Sequence, residues 1–593
     1  MSAGVKFVQE PWVYAEQAPP HDLLKVKHWR KHYDVNLLPD FLRDTEVGDS
    51  VKRHHGKWES DMMSAALARQ FFYGADYLKG DIDSGTLFFI PVYETKKCRG
   101  GVIYWDKAER EQLQRQIFKV YEIEKTKGTK NWLRKANRIV NELLSEFPAD
   151  TWTPFSSLKA HHIMTWILHM QAYDEKTSGE LIKSFIRDVE SPELCILMFR
   201  FPERDIEFYK LRELRRFIRN MHRALEEIRL ILLGLKSKFR FPILCTKIGD
   251  ELITVVLNHN PWTPSKRPVE DIIAEISRIS SKRGGVKCAI KVIRVKLKKK
   301  PSKKRGGRPY WVVCESPVEE EYYVGSSVRE GGVGKAEWVS DMRKRTVAWT
   351  SIEPKYGLTK SCERFIVDYA LKVMEKLPHT PGFTKPQLKL NASPDIMFTV
   401  MDGYERFLQD VEKRMKPVVK SFSRSIFVLG LDGYRKAFRS YEWLVNIAKE
   451  RLHIPVNIGM VVVDSKFPFW RVLEILKKYP NNLTVVPRGG KMVSLSENDF
   501  KYMMEMIPIV RKIKPSVWEN EIAPASAKSI EELDFELRRL SEGAKRKINP
   551  NDGKKILDFA KKIDENHREL TEEQRRSIRY AAFKRLSDFA MGK

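Results

Sequence analysis

A chain of 593 residues is longer than one ordinary hydrophobic core supports, so several domains are expected. Its 42% hydrophobic content, 14 Trp and well-mixed 31% charged residues exclude a largely disordered chain, and no apolar stretch reaches membrane-spanning length. Lys and Arg number 107 against 78 Asp and Glu, a net charge of +29, which favours nucleic acid, DNA foremost, as a partner; the six scattered Cys contain no CxxC pair, which argues against a disulfide framework or a zinc knuckle.

Taken in chain order, residues 1–150 read as an α+β domain. "MSAGVKFVQEPW" shows no secretory h-region, so an intracellular, cytoplasmic protein is expected. "GTLFFIPVYE" is aromatic and β-branched like a half-buried strand. "RKANRIVNELLSEF" then places Ile139, Leu143 and Leu144 on one helical side. His28 and His32 have the spacing of a helical ligand pair, but no His-Glu-x-x-His pattern joins them and a surface role is expected. In "GADYLKGDIDSG", Asp81 and Asp83 stand two apart at a strand start. This resembles the metal-binding Asp-x-Asp of archaeo-eukaryotic primases, and an ordinary turn has the same letters.

Residues 151–240 read as mainly helical. "LRELRRFIRNMHRALEEIRLILLGLKSKFR" puts Arg212, Arg215, Arg216, Arg219 and Arg223 near one polar side, either a solvated face or one that tracks phosphates. Residues 241–310 read as β-hairpins, the first turning at Gly249-Asp250. In "IRVKLKKK", Lys296 and Lys298 alternate with Val295 and Leu297, as on a strand with one wet face. Lys296, Lys298, Lys299, Lys300, Lys303, Lys304, Arg305 and Arg308 then make a basic tip suited to a phosphate backbone.

Residues 311–520 alternate strand and helix: "SIFVLGLDG", a helix through Leu444, Ile447 and Ala448, "NIGMVVVDS", a helix through Val472, Ile475 and Leu476, and "LTVVPRGG". That order predicts a parallel sheet with right-handed crossovers and puts Asp432 and Asp464 at C-terminal strand ends, where open α/β sheets bind ligands. Carboxylates there suit Mg²⁺ or Mn²⁺; capping the next helix is the alternative use. Residues 521–593 read as a charged helical tail, with a helix start at Thr571. No internal repeat is visible. The 13 His include no His-x-His, against the usual rolling-circle initiators, and "EGGVGKAEW" lacks the spacing of a P-loop.

"VVVDSKFPFWRVLEILKKYPNNLTVVPRGGK" resembles the block around the second catalytic aspartate of DDE-type transposases, which have an RNase H-like core. Asp464 matches the aspartate, Phe467 and Phe469 the aromatic turn, Arg488 and Lys491 the basic segment. The resemblance covers roughly 70 residues and leaves the other acids open: Glu315 or Asp402 for the first, Asp432 being too near Asp464 for the intervening hairpin, and Glu505 or Glu497 for the third; Asp464 would hold metal helped by Asp402 or Asp432 and a downstream Glu. It implies an α/β multidomain protein with an RNase H-like or Rossmann-like core in its C-terminal half. The implied activity is metal-dependent phosphodiester cleavage or strand transfer for a mobile element. A plasmid or viral replication protein, and a non-catalytic nucleic-acid-binding or assembly protein, possible as a homo-oligomer, are the alternatives.

Overall fold

The computed structural model describes residues 15–29, 31–57, 85–150, 153–174, 179–180, 193–200, 214–235, 243–258, 268–282, 288–300, 310–315, 317–324, 346–377, 393–431, 434–464, 467–486, 492–542 and 547–590. It is a mixed α/β, multidomain chain rich in helix, built around two six-stranded sheets.

The first sheet contains β1 (Glu193–Arg200), β2 (Thr246–Ile248), β3 (Glu251–Leu257), β4 (Cys288–Lys300), β5 (Tyr310–Val313) and β6 (Val318–Val324), in the order β5-β4-β1-β3-β2 with β6 also on β4. The second contains β7 (Thr346–Pro354), β8 (Lys416–Val419), β9 (Ser425–Leu431), β10 (Val456–Asp464), β11 (Leu483–Val485) and β12 (Val493–Leu495), in the order β8-β9-β7-β10-β11-β12. The helices that position the site are α1 (Lys107–Thr126), α2 (Trp132–Leu143), α3 (Leu158–Ala172), α4 (Leu214–Gly234), α5 (Pro268–Lys282), α6 (Leu358–Arg364), α7 (Pro394–Glu412), α8 (Tyr434–Arg451), α9 (Phe469–Lys478), α10 (Glu497–Val510), α11 (Ile530–Ser541), α12 (Pro550–Asn566) and α13 (Glu572–Ala590).

Each sheet is built on the same unit. In the first, strand, helix, hairpin, helix and strand run β1-α4-β2-β3-α5-β4, with neighbours β4-β1-β3-β2 all antiparallel. In the second, β7, the helices through α7, the β8-β9 hairpin, α8 and β10 repeat that path, with neighbours β10-β7-β9-β8. This is the split βαβ, or ferredoxin-like, arrangement. The chain therefore repeats a topology that its sequence does not repeat.

The parallel sheet expected from residues 426–485 is corrected here. β9 and β10 do point the same way, but β7 lies between them and is antiparallel to both, with Thr346 opposite Leu431 on one side and Asp464 on the other. Only β10 and β11 are parallel neighbours among the described strands of this sheet. The RNase H-like or Rossmann-like core gives way to the split βαβ order.

Burial explains the apolar runs. Along β1, Cys195, Leu197 and Phe199 enter one core while Leu194, Ile196 and Met198 enter another, so the strand reads as continuously apolar. β7 and β10 do the same, with Trp349, Val461 and Val463 on one face and Ala348, Met460 and Val462 on the other. Each fully buried Val, Leu or Ile contributes about 1.5–3 kcal/mol. The central strands of both sheets are thus covered on both faces. Phe467 and Phe469, the aromatic turn of the sequence, belong to this packing: Phe469 is buried with its ring centroid 4.6 Å from that of Trp349.

The two units meet at their hairpins. Gly249 sits at φ +58°, as a tight turn requires, and the Asp250 N–H donates to the Lys420 carbonyl at 2.7 Å while the Lys420 N–H donates to Asp250 Oδ2 at 2.8 Å. Glu251, 1% exposed, accepts from the Ser421 hydroxyl and the Phe422 N–H, and burial pushes its carboxyl up. A Cβ on Gly249 would stand 2.6 Å from the Lys420 carbonyl oxygen. Gly249→Ala is therefore expected to cost about 1–3 kcal/mol, from left-handed backbone strain plus the clash. A thermal midpoint equal to wild type would sink that account.

Toward the C-terminus, Trp518 stacks on Phe583 and donates its indole N–H to the Phe583 carbonyl at 2.8 Å, which docks α13. No helix among the described residues is long and apolar enough to cross a membrane.

Candidate metal centre

α3 is apolar nearly all round, and such a helix must be buried on every side. It nevertheless carries His161 and His162, 3% and 0% exposed. Opposite them, the chain turns through His21 and Asp22 into a short helix, Leu23–Val26, whose Leu23, Leu24 and Val26 are buried and pin the doublet in place. α7 contributes Asp395 in its first turn, also buried.

Donor atoms of His21, Asp22 and His161 lie within 4.8 Å of one another, the one such group among the described residues. His161 Nε2 is 3.5 Å from Asp22 Oδ2, and His21 Nε2 is 3.8 Å from the same oxygen. His161 Nδ1 lies 3.3 Å from Asp395 Oδ2. A carboxylate behind the imidazole fixes the tautomer that turns Nε2 toward a metal, the usual outer-shell arrangement. His32, expected at the surface, is 8% exposed instead, with Nε2 3.3 Å from Asp22 Oδ1. Lys25 Nζ also contacts Asp22 Oδ2.

His162 has a different part. The Asp22 N–H donates to its Nε2 at 3.3 Å, so Nε2 accepts and the proton sits on Nδ1, which donates to Asn141 Oδ1 at 3.0 Å. The Asn141 amide in turn donates to the carbonyls of Glu16 and Ala18. Burial, with His21 nearby, holds His162 well below the usual imidazole range, so it is neutral. With both ring nitrogens engaged, it positions the Asp22 backbone. The set therefore fits one ion: two imidazoles and a carboxylate, with an oriented outer shell.

The carboxylates expected from the sequence stand elsewhere. Asp464 ends β10, partly exposed, and Asp402 is on α7, its carboxylate bound to Lys159 at 2.6 Å and Arg406 at 3.2 Å. Glu505 is exposed on α10, Glu497 pairs with Lys449, and Glu315 pairs with Lys296 at 2.8 Å. No metal-ligand group of three among the described residues includes any of them. Asp432, Asp81, Asp83, Arg212, Lys303, Lys304, Arg305, Arg308, Arg488 and Lys491 lie outside the described residues. Lys298 is exposed near the end of β4, and Arg223 is exposed on α4. Lys299 and Lys300 are in β4, and Arg215, Arg216 and Arg219 in α4, with side chains outside the description.

Neither a family model nor a curated protein matches the chain. Solved structures similar over nearly its whole length include a Csm1-Csm4 cassette in complex with cA4, at 11% identity and TM-score 0.49, covering 98% of this chain and 99% of that one. Csm1 in T. onnurineus is similar at 11% identity and TM-score 0.47, covering 97% and 95%. So is a Csm1-Csm4 subcomplex of the type III-A CRISPR-Csm interference complex, at 10% identity and TM-score 0.44, covering 96% and 95%. The transposase resemblance, with its mobile-element and recombination role, is overturned by the sheet order: β7 lies between β9 and β10 and is antiparallel to both, so the parallel strand pair on which that reading rested is not formed.

Proposed function

We propose that this chain handles nucleic acid and hydrolyses phosphoester bonds at a divalent transition metal held by His21, Asp22 and His161. The observation that carries the reading is the convergence of those three donors with Asp395 behind His161. Imidazole donors select Mn, Fe, Co, Ni or Zn over the Mg²⁺ that an all-carboxylate site takes. When bound, such an ion lowers the pKa of a water and polarises a phosphoryl oxygen. In this reading Asp395 keeps Nε2 of His161 available, His162 and Asn141 hold the Asp22 backbone, and Lys25 places a cation beside the ligand carboxylate, where a phosphate oxygen would come. The net charge of +29 supplies the attraction for a polyanion. This is hydrolysis, not strand transfer, and it uses none of the acids in 402–505.

The depth of the centre favours a second reading. His21 and Asp22 are 0% exposed, and closed sites of this kind tie segments together without chemistry. Metal analysis of the purified protein, followed by cleavage assays on labelled single-stranded DNA and RNA with Mn²⁺, Co²⁺ or Ni²⁺, separates them. The expected result is one bound ion and cleavage, both lost in Asp22→Asn and His161→Gln. Bound metal with no cleavage, and a lower melting midpoint on chelation, would establish the structural tie. A protein that takes up no metal at all overturns both.

A further inference from the structure

The helix that follows Asp464 carries a surface that neither the core nor the metal centre uses. α9 packs on β7 and β10 through Phe469, Val472, Leu473 and Leu476, all buried. These four lie within about 100° of one another around the helix axis, the width of one core-facing stripe. The opposite face carries Trp470, Arg471, Glu474, Lys477 and Lys478, all exposed. Trp470, 43% exposed, is the one exposed Trp among those whose side chains are described. Phe469 already fills the core position beside Trp349, so the indole is not needed for packing.

Two features of that face are unfavourable for the chain alone. A Trp left in water forgoes the burial that its size offers. Arg471 stands in the first turn of α9, where the helix dipole opposes a cation. A partner with both a flat apolar face and negative charge relieves both. Helix geometry sets the spacing. Lys477 lies two turns from Trp470 on nearly the same line, and Lys478 stands likewise to Arg471, so each row is about 10 Å long. About three nucleotides of a stacked strand, at a rise of ~3.4 Å each, span that length. Arg471 Cζ is 5.2 Å from the Trp470 ring centroid, and Lys478 Nζ is 5.3 Å from that of Tyr479, which sets a cation beside each ring. Glu474 is the one acid of α9, against three cations.

We propose that the exposed face of α9 holds single-stranded nucleic acid, with one base stacked on Trp470 and the neighbouring phosphates passing Arg471 toward Lys477 and Lys478. The inference rests on the reading that this chain handles nucleic acid, and it names where a strand is held apart from the metal centre. The base must be unpaired, because a duplex keeps its base faces inside the stack. Stacking tolerates every base, so the surface is indifferent to sequence.

Anisotropy of labelled oligo-dT and oligo-U of about twenty nucleotides would be measured on the full chain between about 0.05 and 0.2 M salt, with a chelator present so that no cleavage intervenes. Trp470→Ala should weaken binding about tenfold, and Trp470→Phe, which keeps a stacking ring, less than about threefold. Lys477→Gln with Lys478→Gln should make the slope of log affinity against log salt shallower by about 1.4, the value for two phosphates of a single strand. Glu474→Gln should tighten binding, a change that a purely structural helix would not give. The control pair Lys554→Gln with Lys555→Gln, exposed on α12, should leave the slope as in the wild type. Binding of a duplex of the same length should be insensitive to Trp470→Ala. A wild type that binds no strand overturns this inference together with the nucleic-acid reading beneath it. Strand binding that Trp470→Ala leaves unchanged overturns this inference alone and leaves α9 as a face for a protein partner. An unchanged melting midpoint checks that the variants fold.

Discussion

An Asp402→Ala variant is expected to lose about 3 kcal/mol of stability, through its effect on two cations and not through a lost metal. The carboxylate lies on α7, its side chain 14% exposed, and is shared by Lys159 Nζ at 2.6 Å and Arg406 Nε at 3.2 Å. Lys159 reaches it from α3 and is itself only 11% exposed. Burial by itself would raise the Asp402 carboxyl, but Lys159 and Arg406 outweigh it and hold it below its usual range. Removing the acid leaves two positive charges side by side in a poorly solvated place. Glu142 on Lys159 and Glu146 on Arg406 relieve part of that cost, which keeps the expected value at the lower end for a broken buried pair. Because the folded carboxyl titrates low, this contribution is present above the unfolded value of 3.8 and fades as the pH falls through the folded one. Urea unfolding followed by Trp fluorescence measures it. A loss under about 0.5 kcal/mol would mean that the network is solvated and does not join α3 to α7.

What the sequence made legible was local. The strands at 425–431, 456–464 and 483–485 and the helices between them are where apolar periodicity put them. Their neighbours were not legible, because β7 enters the middle of the sheet from a point separated from β9 by α6, α7 and β8. Period and length give a strand's existence, and pairing is a long-range property. β1 shows the companion difficulty. "ELCILMFR" is apolar without alternation because both faces are covered, so it was absorbed into a stretch read as mainly helical. The metal centre was missed for a related reason. Asp22 meets His162 across 140 residues and His161 meets Asp395 across 234, so no spacing motif could announce them. Two local signals were present. A His-Asp doublet stands directly before buried leucines, and "LKAHHIMTWILHM" sets two adjacent imidazoles in a largely apolar helix. A titratable pair that cannot reach water needs partners, and partners that distant are supplied only by the fold.

The C-terminal helices should show a stability maximum in mildly acidic solution. Ser496 and Asp499 form a capping box at the start of α10, and the buried Asp499 carboxylate also accepts from Asn566 Nδ2 at 2.8 Å and lies 2.7 Å from His567 Nε2. One carboxylate thus holds the start of α10 and the end of α12. The hydrogen bond to Asp499 raises the His567 imidazole, assisted by the charges of Asp499, Glu569 and Asp564. Burial would raise the Asp499 carboxyl, but its bonds from His567, Asn566 and Ser496 outweigh that and lower it. The two effects bound a window. The His567 contribution is complete below the unfolded value of 6.5 and is lost as the pH rises through the raised folded value. The Asp499 contribution is complete above 3.8 and is lost as the pH falls through the lowered one. Between those limits both groups are charged and the α10–α12 contact is tightest. Asp499→Ala, which removes the cap and leaves the imidazole without its counter-charge, is expected to cost about 3–5 kcal/mol. His567→Gln should keep a hydrogen bond and flatten the alkaline side alone. Hydrogen exchange of the α12 amides between pH 4 and 9, corrected for intrinsic rates, reads both. Protection in the wild type that does not fall above pH 6.5 would mean that Asp499 holds α12 through Asn566 and not through a protonated His567.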